Sequence, residues 1–134
     1  MKEPEFQDEI QLVSTQVLDL ILNTTTVFDK KITEKLNLNL KHGISYPKDN
    51  NKNYVITFDI EIFNVSQEFS LKVKYAALFQ SKKEIDEDFK NSSFVQISSP
   101  AIAFPYVRSF ISNLTINSGF SPVIFPSINF TKTK

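Results

Sequence analysis

AIAFPYVRSFISNLTINSGFSPVIFPSINF, residues 101–130, is the stretch whose reading decides the fold. Phe104, Val107, Ile111 and Leu114 step by three and four, which puts one apolar stripe on a helix. Pro105 is expected in the first turn of that helix, where its missing N–H costs nothing. Gly119 falls where a C-terminal cap is expected. Beyond it, Val123 to Phe130 reads as an extended segment. Pro122 and Pro126 bracket it and keep it from being a central strand.

Upstream the period changes to two. Leu36, Leu38 and Leu40 alternate with Lys35, Asn37, Asn39 and Lys41, giving a strand with one wet face. Residues 43–53 hold Pro47, Asp49, Asn50 and Asn51 and read as a connecting loop. Tyr54, Ile56, Phe58, Ile60 and Ile62 form the next apolar row. After a tight turn at residues 64–67, Phe69, Leu71, Val73, Tyr75, Ala77 and Phe79 form another. Three such strands in succession predict an antiparallel meander. Residues 10–22 are rich in Val, Leu and Ile and read as a further strand. Its apolar residues fall on both faces, Leu18 and Leu20 as well as Val17 and Ile21. Residues 82–92, KKEIDEDFKNS, form a short helix or a loop. The fold class is therefore α+β, a four-stranded antiparallel sheet packed by a long helix near the C-terminus. One helix cannot cover all this apolar surface, so an oligomer or a standing hydrophobic groove is expected.

The chain has 134 residues, which predicts one domain over residues 10–134 behind a loose acidic terminus at residues 1–9. Fifteen basic residues balance 15 acidic ones, which argues against a nucleic-acid or membrane-surface protein. The absence of cysteine excludes disulfides and thiolate chemistry. Glu3, Glu5, Asp8 and Glu9 stand where a signal peptide would be basic, and no run is long enough for a transmembrane helix, so a cytoplasmic location is expected. Two glycines in the whole chain leave no phosphate-binding loop.

No catalytic constellation is evident. His42, the one histidine, reads as a surface residue without triad partners. Glu84, Asp86, Glu87 and Asp88 lack calcium-loop spacing and read as a solvated charge run. Asp59 and Glu61 face one side of a strand, and Lys72 and Lys74 on the next strand are expected to pair with them. No cofactor or metal is implied, and the chain does not read as an enzyme. The open question is the aromatic surplus, 13 Phe and four Tyr. Phe28, Ile32, Tyr46, Phe94 and Phe130 fall outside the clean core alternation. Core packing is one reading. The other is a groove for extended apolar segments of other chains, which needs only apolar area and strand-edge hydrogen bonds.

Phe104-Pro105-Tyr106, Arg108, Gly119-Phe120, Pro122, Pro126 and Asn129-Phe130 together resemble the SecB family of protein-export chaperones. That family carries an apolar -FPYAR- helix, a glycine-aromatic-proline turn and a strand ending in -P-x-N-F. The similarity runs from about Ile10 to Phe130. It implies an ATP-independent holdase that assembles as a homotetramer, a dimer of dimers, and binds unfolded polypeptide clients. By position it puts client binding at Phe28, Ile32, Leu38, Leu40 and Phe130. It puts the oligomer interface at Leu71, Val73, Tyr75, Tyr106 and Phe110. The neutral charge balance departs from the acidic habit of the family. The positions that meet the SecA motor in export-pathway members correspond to Val17, Ile21, Ser70 and Lys72, and the family's C-terminal helix and metal-binding tail have no counterpart before Lys134. The resemblance thus implies a SecB-like chaperone with its standard SecA docking surface lost or rebuilt. The alternatives are a structural or adaptor protein on the same fold, or a chaperone dedicated to one partner, as in toxin–antitoxin systems. A small-ligand binder would need a closed pocket with convergent polar groups.

Overall fold

The computed structural model describes residues 9–25, 27–28 and 34–131. Strands β1 (Ile10–Thr24), β2 (Asn37–Ser45), β3 (Asn53–Phe63) and β4 (Phe69–Ser81) form one antiparallel sheet in the order β1-β4-β3-β2. The expected meander of β2, β3 and β4 is present, and β1 is added beyond β4. β2 is longer than expected. Gly43, Ile44 and Ser45 lie in the strand, with Ile44 opposite Ile56, so the alternation begun at Leu38 continues through the stretch read as loop.

The two central strands bury one face completely. Tyr54, Ile56, Phe58 and Ile62 of β3 lie opposite Phe79, Ala77, Tyr75 and Leu71 of β4, all buried. The other face carries the paired charges expected from the alternation. Lys72 Nζ lies 3.8 Å from Glu61 and Lys74 Nζ lies 3.9 Å from Asp59. These pairs are exposed, so each contributes only about 0–1 kcal/mol.

β1 resolves its own ambiguity with two irregularities in register, between Leu12 and Ser14 and between Val17 and Asp19. Each inserts one residue, Val13 and Leu18, and so resets the parity of the strand. Leu12, Val17, Leu20 and Leu22 consequently lie opposite Phe79, Tyr75, Val73 and Leu71, on the same face as the core. Only Ile21, opposite Lys72, is an apolar residue of the 17–22 run paired on the charged face.

A single turn, α1 (Glu87–Lys90), follows the sheet, capped by Asp86 Oδ1, which accepts the Phe89 N–H at 2.9 Å. A π-helical turn at Phe94–Ser98 then leads directly into α2 (Ser99–Asn117). The helix thus starts before Ala101, and Pro105 lies inside it rather than in its first turn. Pro100 is the proline near the N-terminus. Pro105 is tolerated because it and Ala101, whose carbonyl loses its partner, are exposed to water. The start of the helix is fixed from the sheet. The Tyr54 hydroxyl meets Ser99 Oγ at 2.7 Å, and Ser99 Oγ donates to the Phe94 carbonyl at 3.1 Å.

Ala103, Phe104, Val107 and Ile111 are buried on the sheet side, as the stripe predicts. The next buried position is Thr115 rather than Leu114. Gly119 ends the helix at φ +94°, a left-handed value that suits glycine. The chain then folds back along the helix without forming a strand. Ser112 Oγ donates to the Val123 carbonyl, Thr115 Oγ1 accepts the Val123 N–H, and Arg108 Nε donates to the Phe125 carbonyl, each at 2.9 Å. The segment read as extended between prolines is therefore a strap. Its backbone is held by polar side chains of α2, and its aromatic rings plug the core. Phe125 and Phe130 both lie edge-on to Phe104, at 5.7 and 5.6 Å between centroids.

Candidate functional site

The strap leaves two depressions along β2. The first, of about 630 Å³, is floored by Leu36, Leu38 and Phe69 and walled by Phe120, Val123 and Ile124, with Phe28 at its rim. Glu34 also lines it, and its carboxylate is engaged by the Ser66 N–H at 2.8 Å. The second, of about 850 Å³, lies at the other end of β2. His42, Ile44 and Tyr46 form one side, and Lys90, Ser92, Gln96 and Ile97 the other, with Phe130 between. Both fall in the size range of ligand grooves.

The floor has a simple origin. Leu38, Leu40, His42 and Ile44 are alternate residues of β2, opposite Ile62, Ile60, Phe58 and Ile56. They belong to the inner face, yet they sit at the sheet edge where the strap covers them only in part. All four are half-buried.

The client-binding residues expected from sequence separate accordingly. Phe28 is fully exposed at the rim of the first groove, and Leu38 lies in its floor. Leu40 is half-buried between the two grooves. Phe130 is only 4% exposed, packed on Phe58, Phe104 and His42, so its ring serves the core and offers little area to another molecule. Ile32 lies outside the described residues. His42 is not the surface histidine expected. Its ring stands edge-on to Phe130 at 5.2 Å, and burial pushes its pKa below the usual imidazole value.

Of the expected interface residues, Tyr75, Tyr106 and Phe110 come together, with Leu114, around a third depression of about 450 Å³. Tyr75 and Phe110 are in ring contact at 5.5 Å. Leu71 and Val73 lie beneath, 0% and 3% exposed, and have no surface left to give a neighbour. The inner side of β1, with Leu20 exposed and Val17 half-buried, lies next to this depression through the pairing of Val17 with Tyr75.

Phe120 and Val123 of the first groove, and Lys90 of the second, were not expected from the sequence to line a groove. Phe120 could have been, since an aromatic directly after a helix-ending glycine is placed back against the last turn. Its ring meets Phe69 at 4.9 Å. The burial that surrounds the second groove also acts on its tyrosines. Burial, then the nearby Glu87 carboxylate, raises the Tyr46 pKa, and burial raises that of Tyr54 despite its bond to Ser99. Among the described residues no group of three or more acidic, His or Cys side chains is placed to hold a metal, and no helix is long and apolar enough to cross a membrane.

Partly apolar grooves beside a strand that pairs on one side only, among the described residues, have the shape to take an extended segment of another chain. The family described as "Preprotein translocase subunit SecB" matches residues 3–133. The protein-export protein SecB of Orientia tsutsugamushi (strain Ikeda) is 31% identical over 139 residues, covering 97% of this chain and 82% of the relative. An uncharacterized protein of Methanocaldococcus jannaschii is 36% identical over 117 residues, covering 84% of this chain and 72% of its own length. Among solved structures, the SecB-like chaperone Rv1957 of Mycobacterium tuberculosis, in complex with a ChAD peptide from the HigA1 antitoxin, has the same fold. It superposes with a TM-score of 0.69 at 12% identity, over 90% of this chain and 88% of that one. The chain belongs to the SecB family, and its function is that of a holdase chaperone.

Proposed function

We propose that the first groove is where this chaperone holds its clients, as extended apolar segments laid along β2. The observation that carries this is an apolar groove of about 630 Å³ with the fully exposed Phe28 ring at its rim, beside a strand that pairs on one side only among the described residues. Phe28, Leu38 and Leu40 supply contacts, with Leu36, Phe120 and Val123. Burying apolar area there yields roughly 25 cal/mol per Å². The groove binds and releases without making or breaking a covalent bond. Ile32 is retained as a contact by family position, and Phe130 as a core ring that lines the second groove.

The working form is a homo-oligomer, a dimer of dimers. Leu20, Tyr75, Tyr106 and Phe110, next to the exposed Val13 and Leu18 of the β1 edge, make the apolar surface through which copies meet. Several grooves on one particle then give avidity for a long unfolded chain. The site of action is the cytoplasm.

Delivery to SecA is not expected to use the outer sheet face in the family's usual way. Val17 lies opposite the buried Tyr75, whereas Ile21 lies opposite Lys72, so these positions do not form one acidic surface. The carboxylates that are there, Asp59 and Glu61, are each paired with a lysine. A dedicated partner is the second reading, favoured by the likeness to a structure that holds an antitoxin-derived peptide. Both readings are tested by suppression of aggregation of a chemically unfolded protein, with the particle mass measured in parallel. Suppression at a stoichiometric ratio of tetramer to client supports the general holdase. Suppression of one cognate partner alone supports the dedicated form, and none at all overturns the groove assignment.

A further inference from the structure

Gly43 sits inside β2, opposite Thr57, in a strand whose pairing is regular throughout. The chain has only two glycines. Gly119 has the left-handed φ that favours glycine, but the φ of Gly43 lies outside that region. A methyl group added at Gly43 would meet no atom within 4 Å. Neither backbone conformation nor packing within the chain therefore calls for glycine here. A glycine inside a strand weakens it, whereas a β-branched residue strengthens it. Where a strand keeps a glycine without a bulge, the common reason is the close approach of another chain. Gly43 is exposed, lies on an edge strand, and forms part of the wall of the second groove.

The surface across that edge fits such an approach. Gly43 stands on the outer sheet face, in one row with Thr57 and Ala76. The row on one side of it holds Ser45, Val55 and Leu78. None of these residues is charged, and Val55, Thr57 and Leu78 are half-buried. The row on the other side, Lys41, Asp59 and Lys74, begins the charged part of the face. On the inner side, Leu38, Leu40, His42 and Ile44 of β2 lead from the first groove to the second.

We propose that a client running along β2 crosses the free edge of the sheet at Gly43 and lays its next residues on the uncharged end of the outer face, over Thr57, Val55 and Leu78. This rests on the client-binding reading above. A side chain at position 43 would stand in the path of the crossing. Two strand spacings separate β2 from β4, about 10 Å, which three or four extended residues cover. The occupant is thus a longer extended segment, apolar along β2 and uncharged beyond the crossing, and Gly43 is the residue that lets it pass.

The test uses the full chain and two fluorescently labelled peptides that share one apolar sequence. The short peptide, of about eight residues, ends within the second groove. The long one adds about eight uncharged residues, placed at either terminus in two versions. One version of the long peptide is expected to bind about tenfold tighter than the short one. Gly43→Val should raise the urea midpoint, leave the short peptide unchanged, and bring the long one down to the same affinity. The chain has no cysteine, so a photo-crosslinker attached at Thr57→Cys marks a single place. It should capture the long peptide and not the short one, and it does not depend on how the Gly43 variant folds. Equal binding of the two peptides, an advantage that survives Gly43→Val, a urea midpoint that falls in that variant, or no capture at Thr57→Cys overturns the crossing and leaves the first groove in place. Failure of both peptides to bind, together with no suppression of aggregation, overturns the client reading itself.

Discussion

The two edges of the sheet are built from the same kinds of residue and end in different states. β1 is fifteen residues long, carries two register irregularities, and leaves Val13, Leu18 and Leu20 exposed. β2 is nine residues long and regular, and its apolar row is roofed in part by the strap that follows α2. An apolar edge without a roof is a liability unless another chain covers it. A roofed edge becomes a groove. What separates the two edges is the course of residues 119–130, which cross the β2 side of the core and not the β1 side.

The largest test of that contrast is at β1. Leu20→Asp puts a charge on the unroofed inner face, where a neighbouring copy would have to desolvate it, and should weaken association by on the order of 100-fold or more. Light scattering should then show a smaller particle that retains strand-rich circular dichroism and still binds short apolar peptides. An unchanged particle mass would remove β1 from the interface.

The roof of β2 is tested next. Arg108→Ala deletes the bond to the Phe125 carbonyl, and a hydrogen bond from a charged donor contributes about 1.5–3 kcal/mol. Urea denaturation should show a loss of about 2 kcal/mol. Peptide affinity for the first groove should fall as its wall loosens, with particle mass unchanged. Tyr54→Phe removes one buried hydroxyl from the Ser99 junction, where it anchors the start of α2, and should cost about 1 kcal/mol in the same measurement.

The smallest effect is a pH dependence at the floor of the second groove. Burial holds the His42 pKa below its usual 6.5, so the unfolded chain takes up a proton at a pH where the folded one does not. Stability should therefore be full above about pH 6.5 and decline as pH is lowered through the folded value. His42→Gln should flatten the part of the urea-midpoint profile that falls in this window. An unaltered profile would mean that the ring is as well hydrated folded as unfolded.

Much of this fold was legible in the chain. Strands β2 to β4 declare themselves by alternation, because each has one wet face and the period of two survives intact. The stripe at Phe104, Val107 and Ile111 declares α2 for the same reason at a different period. β1 was legible as a strand but not in its facing. A bulge shifts parity by one residue, so Leu18 and Leu20 looked as though they shared a face, whereas the structure pairs Leu20 with Val73 on the core side and leaves Leu18 extra. The site was legible in part. Phe28 and Leu38 line the first groove, but Phe130, as aromatic as Phe28, is spent on the core.

By itself the sequence determined the strands, the helix, the pairing of Asp59 and Glu61 with Lys74 and Lys72, and the family. These depend on residues close along the chain or on a short motif. Only the tertiary structure decided where α2 begins, which way β1 faces, and which apolar residues remain available to another molecule. The start of α2 rests on a bond between Tyr54 and Ser99, 45 residues apart. The availability of β2 rests on Arg108, Ser112 and Thr115 holding the backbone of the strap, while Gly119 turns it back toward them. Such couplings leave no periodicity in a sequence, because they depend on distances across the core and not along the chain.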